Sequence, residues 1–269
     1  MASGAAFADA LSGSAAAGAH GGPVLLVGTD SIPTVVGAEL ARLKPKRIVV
    51  LGGAASVSTG VEQALGGYSA IVDRLGGADR FDVSAAISKD GFAPGAPVAY
   101  VASGAVFPDA LSASAIAAKD HAPVLLVTKD GVPKGVADEL TRLNPGRIVI
   151  LGGTNTISTE VEIALRANRP TTRLAAADRF GVSAAASAAG FPAGAKTVFI
   201  ASGLVFPDAL SGSPAAAANA APVLLITPNE IPTSVATELD RLDPSQIVVL
   251  GGTATLSDAV YQQLRAHLG

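Results

Sequence analysis

Short all-apolar runs recur along this chain, each followed by a stretch in which apolar residues return every three or four positions. "PVAYVAS" (97–103), "PVLLV" (123–127) and "RIVIL" (147–151) have strand length, while "PDALSASAIAAK" (108–119), "VPKGVADELTRL" (132–143) and "TEVEIAL" (159–165) have helical spacing. The flanking residues agree. Pro108 falls in the first turn of its helix, and Asp109 stands where a carboxylate favours the helix dipole. Pro133 opens the next helix and Asn144-Pro145 ends it, while Ser158 caps the third with Glu160 in its first turn. A short extended stretch, "TTRLAA" (171–176), then leads through Asp178, another N-cap, into "RFGVSAAASAA". Apolar strands alternating with helices predict an α/β fold with a parallel sheet covered on both faces.

The pattern repeats. Asp9, Asp109 and Asp208 sit in near-identical beds of Ala, Ser and Gly, at spacings of 100 and 99. Gly52-Gly53, Gly152-Gly153 and Gly251-Gly252 recur likewise, after "RIVVL", "RIVIL" and "QIVVL". A further motif, "RLGGADRF" (74–81) and "RLAAADRF" (173–180), occurs twice. The reading is three tandem Rossmann-like units with short parallel sheets flanked by helices, over residues 1–70, 71–170 and 171–269.

Composition narrows the possibilities. The chain of 269 residues is 49% hydrophobic but only 4% aromatic, so its elements approach closely through Ala and Gly. Net charge −3 with no basic run argues against nucleic acid as a partner. With zero cysteines there are no disulfides or thiolate metal sites. No apolar run approaches the roughly 18 to 20 residues of a membrane span, so no membrane insertion is expected.

In fixed order, "R-L-G-G-A-D-R-F", "A-S-G-x-x-F-P-D-A-L", "P-V-L-L" and "I-V-x-L-G-G" closely resemble the cell wall-binding repeat 2 family, over nearly the whole chain. The resemblance implies a bacterial surface module, usually in sets of three, whose units pack as a compact pseudo-threefold assembly. It implies non-covalent anchoring to an anionic cell wall glycopolymer, an extracellular location, no cofactor and no catalysis of its own. It also implies an attached functional domain, expected to be absent from this chain. The first copy departs from the pattern: it has "FADAL", with Ala8 for the proline, no "RxxxxDRF" segment and no strand equivalent to "PVAYVAS". The expectation is a chain truncated at its N-terminus, a secretion signal lost with it, and a least stable first third.

Arg74, Arg80, Arg173 and Arg179 are the candidates for gripping a phosphate or carboxylate, because guanidinium offers a bidentate fork. Asp9, Asp79, Asp109, Asp178 and Asp208 have two readings: caps or buried ion pairs with those arginines, or charges lining a groove at the carboxyl ends of the strands. No nucleotide fingerprint and no nucleophile elbow is present. His20, His121 and His267 occupy non-equivalent positions, so no metal site is expected. A structural spacer or surface-layer component, and a small-molecule α/β enzyme, are the rival functions.

Overall fold

The computed structural model describes residues 1–269 apart from the side chain of Ser112. In the first unit β1 (Ala2–Ser3), α1 (Ala8–Ala19), β2 (Leu26–Val27), α2 (Thr34–Leu43), β3 (Ile48–Leu51), α3 (Thr59–Leu65) and β4 (Val72–Leu75) follow one another. Next come α4 (Arg80–Gly91), β5 (Ala99–Ser103), α5 (Pro108–Lys119), β6 (Val124–Val127), α6 (Lys134–Leu143), β7 (Ile148–Leu151), α7 (Thr159–Arg166) and β8 (Thr171–Leu174). The last set is α8 (Arg179–Gly190), β9 (Thr197–Ser202), α9 (Pro207–Ala218), β10 (Val223–Ile226), α10 (Thr233–Leu242), β11 (Gln246–Val249) and α11 (Asp258–Leu264), ending in a 3₁₀ turn at Arg265–His267.

All sheet pairing is parallel. The second unit has order β6-β5-β7-β8 and the third β10-β9-β11. The first follows the same plan, with β1 against β2, β3 against β4, and the Leu51 N–H donating to the Met1 carbonyl. Two features therefore differ from the sequence reading. The first copy does have its first strand, shortened to Ala2–Ser3, because backbone bonds from Ala2 and Gly4 to Leu25 and Val27 place it without any side-chain pattern. The arginine-bearing stretch before each "ADRF" is a full strand on the preceding sheet: Arg74 lies opposite Val50 and Arg173 opposite Ile150. The chain thus passes between units by leaving a strand on one sheet and laying a helix on the next, where α4 packs against β6 and α6, and α8 against β10 and α10.

Strand alternation explains the wholly apolar runs. Val101, Leu125, Ile148 and Ile150 face an outer cluster with Leu143 of α6 and Val161 of α7, while Tyr100, Leu126, Val149 and Leu151 face the central core. That core is shared by all three units. Its axis is a parallel bundle of α1, α5 and α9. Positions 7, 11, 14 and 18, with their equivalents at 107, 111, 114, 118 and 206, 210, 213, 217, fall on one helical face. Phe7, Phe107 and Phe206 meet at one end, with ring centroids 5.6, 5.7 and 5.8 Å apart. At the other end a Cβ on Gly18 would lie 2.7 Å from that of Ala118. Between them the Ser14 hydroxyl donates to the Leu210 carbonyl (2.9 Å) and that of Ser114 to Leu11 (3.3 Å). Small residues let three helices touch here, where larger ones would hold them apart.

Candidate functional site

Because α1, α5 and α9 run parallel, their N-termini and the carboxyl ends of the central strands converge on one face of the molecule, the end of an α/β sheet at which ligands bind. Each strand closes with Ser3, Ser103 or Ser202, whose hydroxyl accepts the N–H two residues on at 3.2 Å. The following glycine is required by its neighbours: a Cβ on Gly104 or Gly203 would strike the ring of Phe81 or Phe180. The "ASG" and "DRF" motifs are thus two sides of one contact. Asp79 caps α4 by accepting from the Phe81 and Asp82 amides, both at 2.9 Å, and Asp178 caps α8 by accepting from Gly181 at 2.8 Å. Arg80 donates to the Gly104 carbonyl (2.6 Å) and lies over the Phe7 ring, while Arg179 donates to Gly203 (2.7 Å) and lies over Phe107. Each of these arginines straddles two units on the converging face. The apolar side chains of Val106, Leu204 and Val205 stand exposed beside them.

Arg74 and Arg173 lie elsewhere. Arg74 spends all three guanidinium nitrogens inside the protein, on Glu62 (2.8 Å) and on the carbonyls of Gly52 and Val57 (both 2.8 Å). Arg173 does the same with Glu162 (2.9 Å), Gly152 (2.9 Å) and Ser158 (3.3 Å). Their geometry fastens the last strand of each sheet to the loop and helix before it.

The recurrent aspartates sit in the first helical turn, facing the Gly-Gly turn of their own unit. Gly52, Gly152 and Gly251 have φ of +92°, +101° and +102°, and a Cβ on any of them would run into the carboxylate. Asp9 accepts from Ser56, Asp109 from Thr156 and Asp208 from Thr255, at 3.3, 3.4 and 3.5 Å. Among the described residues none of the three has a cation within salt-bridge distance; Arg80 and Arg179 act on Asp9 and Asp109 only at longer range. Burial accordingly raises the pKa of both Asp9 and Asp109 above the ordinary value, with the hydroxyl and the distant arginine opposing it. A carboxyl whose folded pKa is raised contributes most below its unfolded pKa and loses that contribution as pH rises through the folded one. Asp109→Asn should therefore be at least as stable as the parent at neutral pH, with the advantage shrinking as pH falls through the raised folded pKa and gone below about pH 4. Melting curves of both proteins across that range give the comparison, and a variant that weakens steadily as pH rises contradicts the burial argument.

One recurrent group was missed from sequence. Glu139 and Glu238 are buried ion-pair partners of Arg142 and Arg241, each pair 2.7 Å apart. The available signal was "E-L-x-R" at 39–42, 139–142 and 238–241. His20 bonds the Gly91 carbonyl, His267 pairs with Asp240, and His121 is exposed, so the three stay apart. Among the described residues no acidic or histidine cluster is placed to hold a metal, and no helix is long and apolar enough to cross a membrane.

Known proteins share this arrangement. The sequence model described as Cell wall binding domain 2 (CWB2) matches residues 1–62, 74–162 and 173–261. An amidase enhancer of Bacillus subtilis (strain 168) is 29% identical over 237 residues, 87% of this chain and 32% of that protein. N-acetylmuramoyl-L-alanine amidase LytC of the same organism is 24% identical over 263 residues, 97% of this chain and 52% of its own length. The chain thus spans about half or less of these relatives. Among solved structures, Cwp6 from Clostridium difficile superposes with TM-score 0.92 at 25% identity, covering 100% of this chain and 43% of that one. Cwp8 from the same organism gives 0.85 at 28% identity, covering 98% and 46%.

Proposed function

We propose, because the chain belongs to the Cell wall binding domain 2 (CWB2) family, that it is a non-catalytic module holding a bacterial surface protein non-covalently to an anionic cell wall glycopolymer. The observation that carries this reading is the match of three successive repeats along the chain. Its likeness to parts of an N-acetylmuramoyl-L-alanine amidase and an amidase enhancer fits a binding portion carried beside separate functional portions. The converging face is the site we assign: Arg80 and Arg179 supply the guanidinium groups there, the first turns of the three helices being already taken by the carboxylates of Asp9, Asp109 and Asp208. Arg74 and Arg173 support that face from beneath through the Gly52 and Gly152 turns. Three similar units on a repeating polymer raise apparent affinity by about 10² to 10⁴ over one unit where they engage together.

Sedimentation with purified cell walls tests the reading. The chain is expected to pellet with walls, less so as salt rises, and less with walls stripped of their anionic polymer. Replacing both Arg80→Ala and Arg179→Ala should weaken binding by about tenfold or more in protein that still unfolds cooperatively. Sedimentation no better than that of an unrelated acidic protein would discard the anchoring function, while binding untouched by the double substitution would move the site elsewhere.

A further inference from the structure

Arg47 and Arg147 hold the same place in their units, directly before β3 and β7, at the end of the strands opposite to Arg80 and Arg179. Their surroundings differ. Arg47 donates from Nε to Asp73 of β4 at 2.7 Å, and from Nη1 and Nη2 to the two oxygens of Asp90 of α4 at 3.0 and 2.9 Å. One guanidinium thereby ties the edge of the first sheet to the helix that leaves it. In the second unit the strand register and the matching helix sequence put Thr172 of β8 in the place of Asp73, and Ala189 of α8 in the place of Asp90. Both carboxylates are gone, and among the described residues no other carboxylate or carbonyl bonds the Arg147 side chain.

A cavity of about 300 Å³ opens where those two side chains would stand. Arg147, Thr172 and Ala189 line it, together with Tyr100 of β5 and with Lys119 and Asp120 at the C-terminal end of α5. Its walls carry two cations and one carboxylate. That carboxylate is already satisfied: Asp120 accepts from the buried Tyr100 hydroxyl and from Nζ of Lys119, both at 2.8 Å. Arg147 is left as the surplus charge of the cavity, with its fork of donors unused. The third unit has a neutral version of the same place, with Phe199, Ala218, Asn219 and Gln246 at the positions of Tyr100, Lys119, Asp120 and Arg147. Strand and helix therefore form there without a cation, so folding alone does not call for one at Arg147.

We propose that this cavity, at the seam between the second and third units, binds a small dicarboxylate. Its two carboxylates take the parts that Asp73 and Asp90 play on Arg47, and Thr172 brings a hydroxyl donor to the same wall. The class follows from the first unit, where the equivalent guanidinium is met by two carboxylates and not by one, and from a space that the loss of both has opened. Bound there, the ligand ties β7 and β8 to α8, and so fastens the second sheet to the helix that covers the third.

Titration of the full chain with malonate, with ionic strength held constant by sodium chloride, tests the site. Backbone amide resonances of Arg147, Thr172 and Ala189 should move along one saturable curve while those of Arg47, Asp73 and Asp90 stay in place. Amide exchange at Thr171–Leu174 should slow as the site fills. Two variants borrow side chains that the chain already uses at these positions. Arg147→Gln copies Gln246 and should weaken malonate binding by about tenfold or more. Thr172→Asp combined with Ala189→Asp copies the first unit and should weaken it as much, by occupying the arginine from within. Acetate, with one carboxylate, should bind about tenfold more weakly than malonate. The absence of a saturable shift, an unchanged dissociation constant in either variant, or acetate or inorganic phosphate binding as tightly as malonate overturns the proposal.

Discussion

Arg173→Ala is expected to lower the free energy of unfolding by about 3 kcal/mol. The arginine is 12% exposed and Glu162 17%, so the pair is shielded enough to matter. Its loss also strips donors from the carbonyls of Gly152 and Ser158. Arg166, 2.6 Å from the same glutamate on its exposed side, relieves only part of the imbalance. Arg173→Lys keeps a charge but not the fork, and should recover less than half of the loss. Denaturant titrations of the three proteins measure this directly. A loss below about 1 kcal/mol would place the pair with ordinary surface salt bridges and remove the reason for reading Arg74 and Arg173 as fasteners of the sheet edge.

A second large effect is expected on the central axis. Leu111 is fully buried on the helical face that α5 shares with its equivalents in α1 and α9, and Leu111→Ala should cost about 2 to 5 kcal/mol through lost transfer energy and an unfilled cavity. The location matters as much as the size. Since one hydrophobic core runs through all three units, the variant should still unfold in a single transition, with probes in the first and third units shifted as far as those in the second. Separate transitions, with only the second unit weakened, would show that the units fold independently and that the bundle merely holds them together.

Much of this architecture could be read from the chain because its signals are local. The strand-length runs, the proline and asparagine stops, the cap at Asp178 and the first-turn position of Asp109 each depend on residues within a few positions of one another, whereas Ser158, expected to cap α7, stands at its N-cap position without a side-chain cap bond. Less legible were features set by distant pairing. "TTRL" looks like an extended connector until β7 is placed beside it, and β1 is a strand only because Leu25, Val27 and Leu51 pair with its backbone. The Ala-Ser-Gly helices carry no mark that distinguishes packing on a sheet from packing on one another. "E-L-x-R" is an exposed i, i+3 pair at Glu39 and a buried one at Glu139, from the same local sequence; only the arrival of α4 makes the difference. The face that collects Arg80, Arg179 and the three phenylalanines was half visible, since the arginines stood out by repetition while the aromatic contact needed three helices to meet.

The stagger between strand and helix at each junction changes what counts as a removable piece. A segment cut at the motif boundary, 71–170, would take β4 away from its sheet and leave β8 behind. The stretch from Arg80 to Leu174 instead holds α4, the complete four-stranded sheet and the helices on both of its faces. It begins and ends in the turns that follow β4 and β8. A gene that lengthened such an array by duplication would insert a self-consistent block only in that phase, so recombination points between modules of this kind should fall in the four-residue turns at 76–79 and 175–178, within what reads along the chain as a single motif.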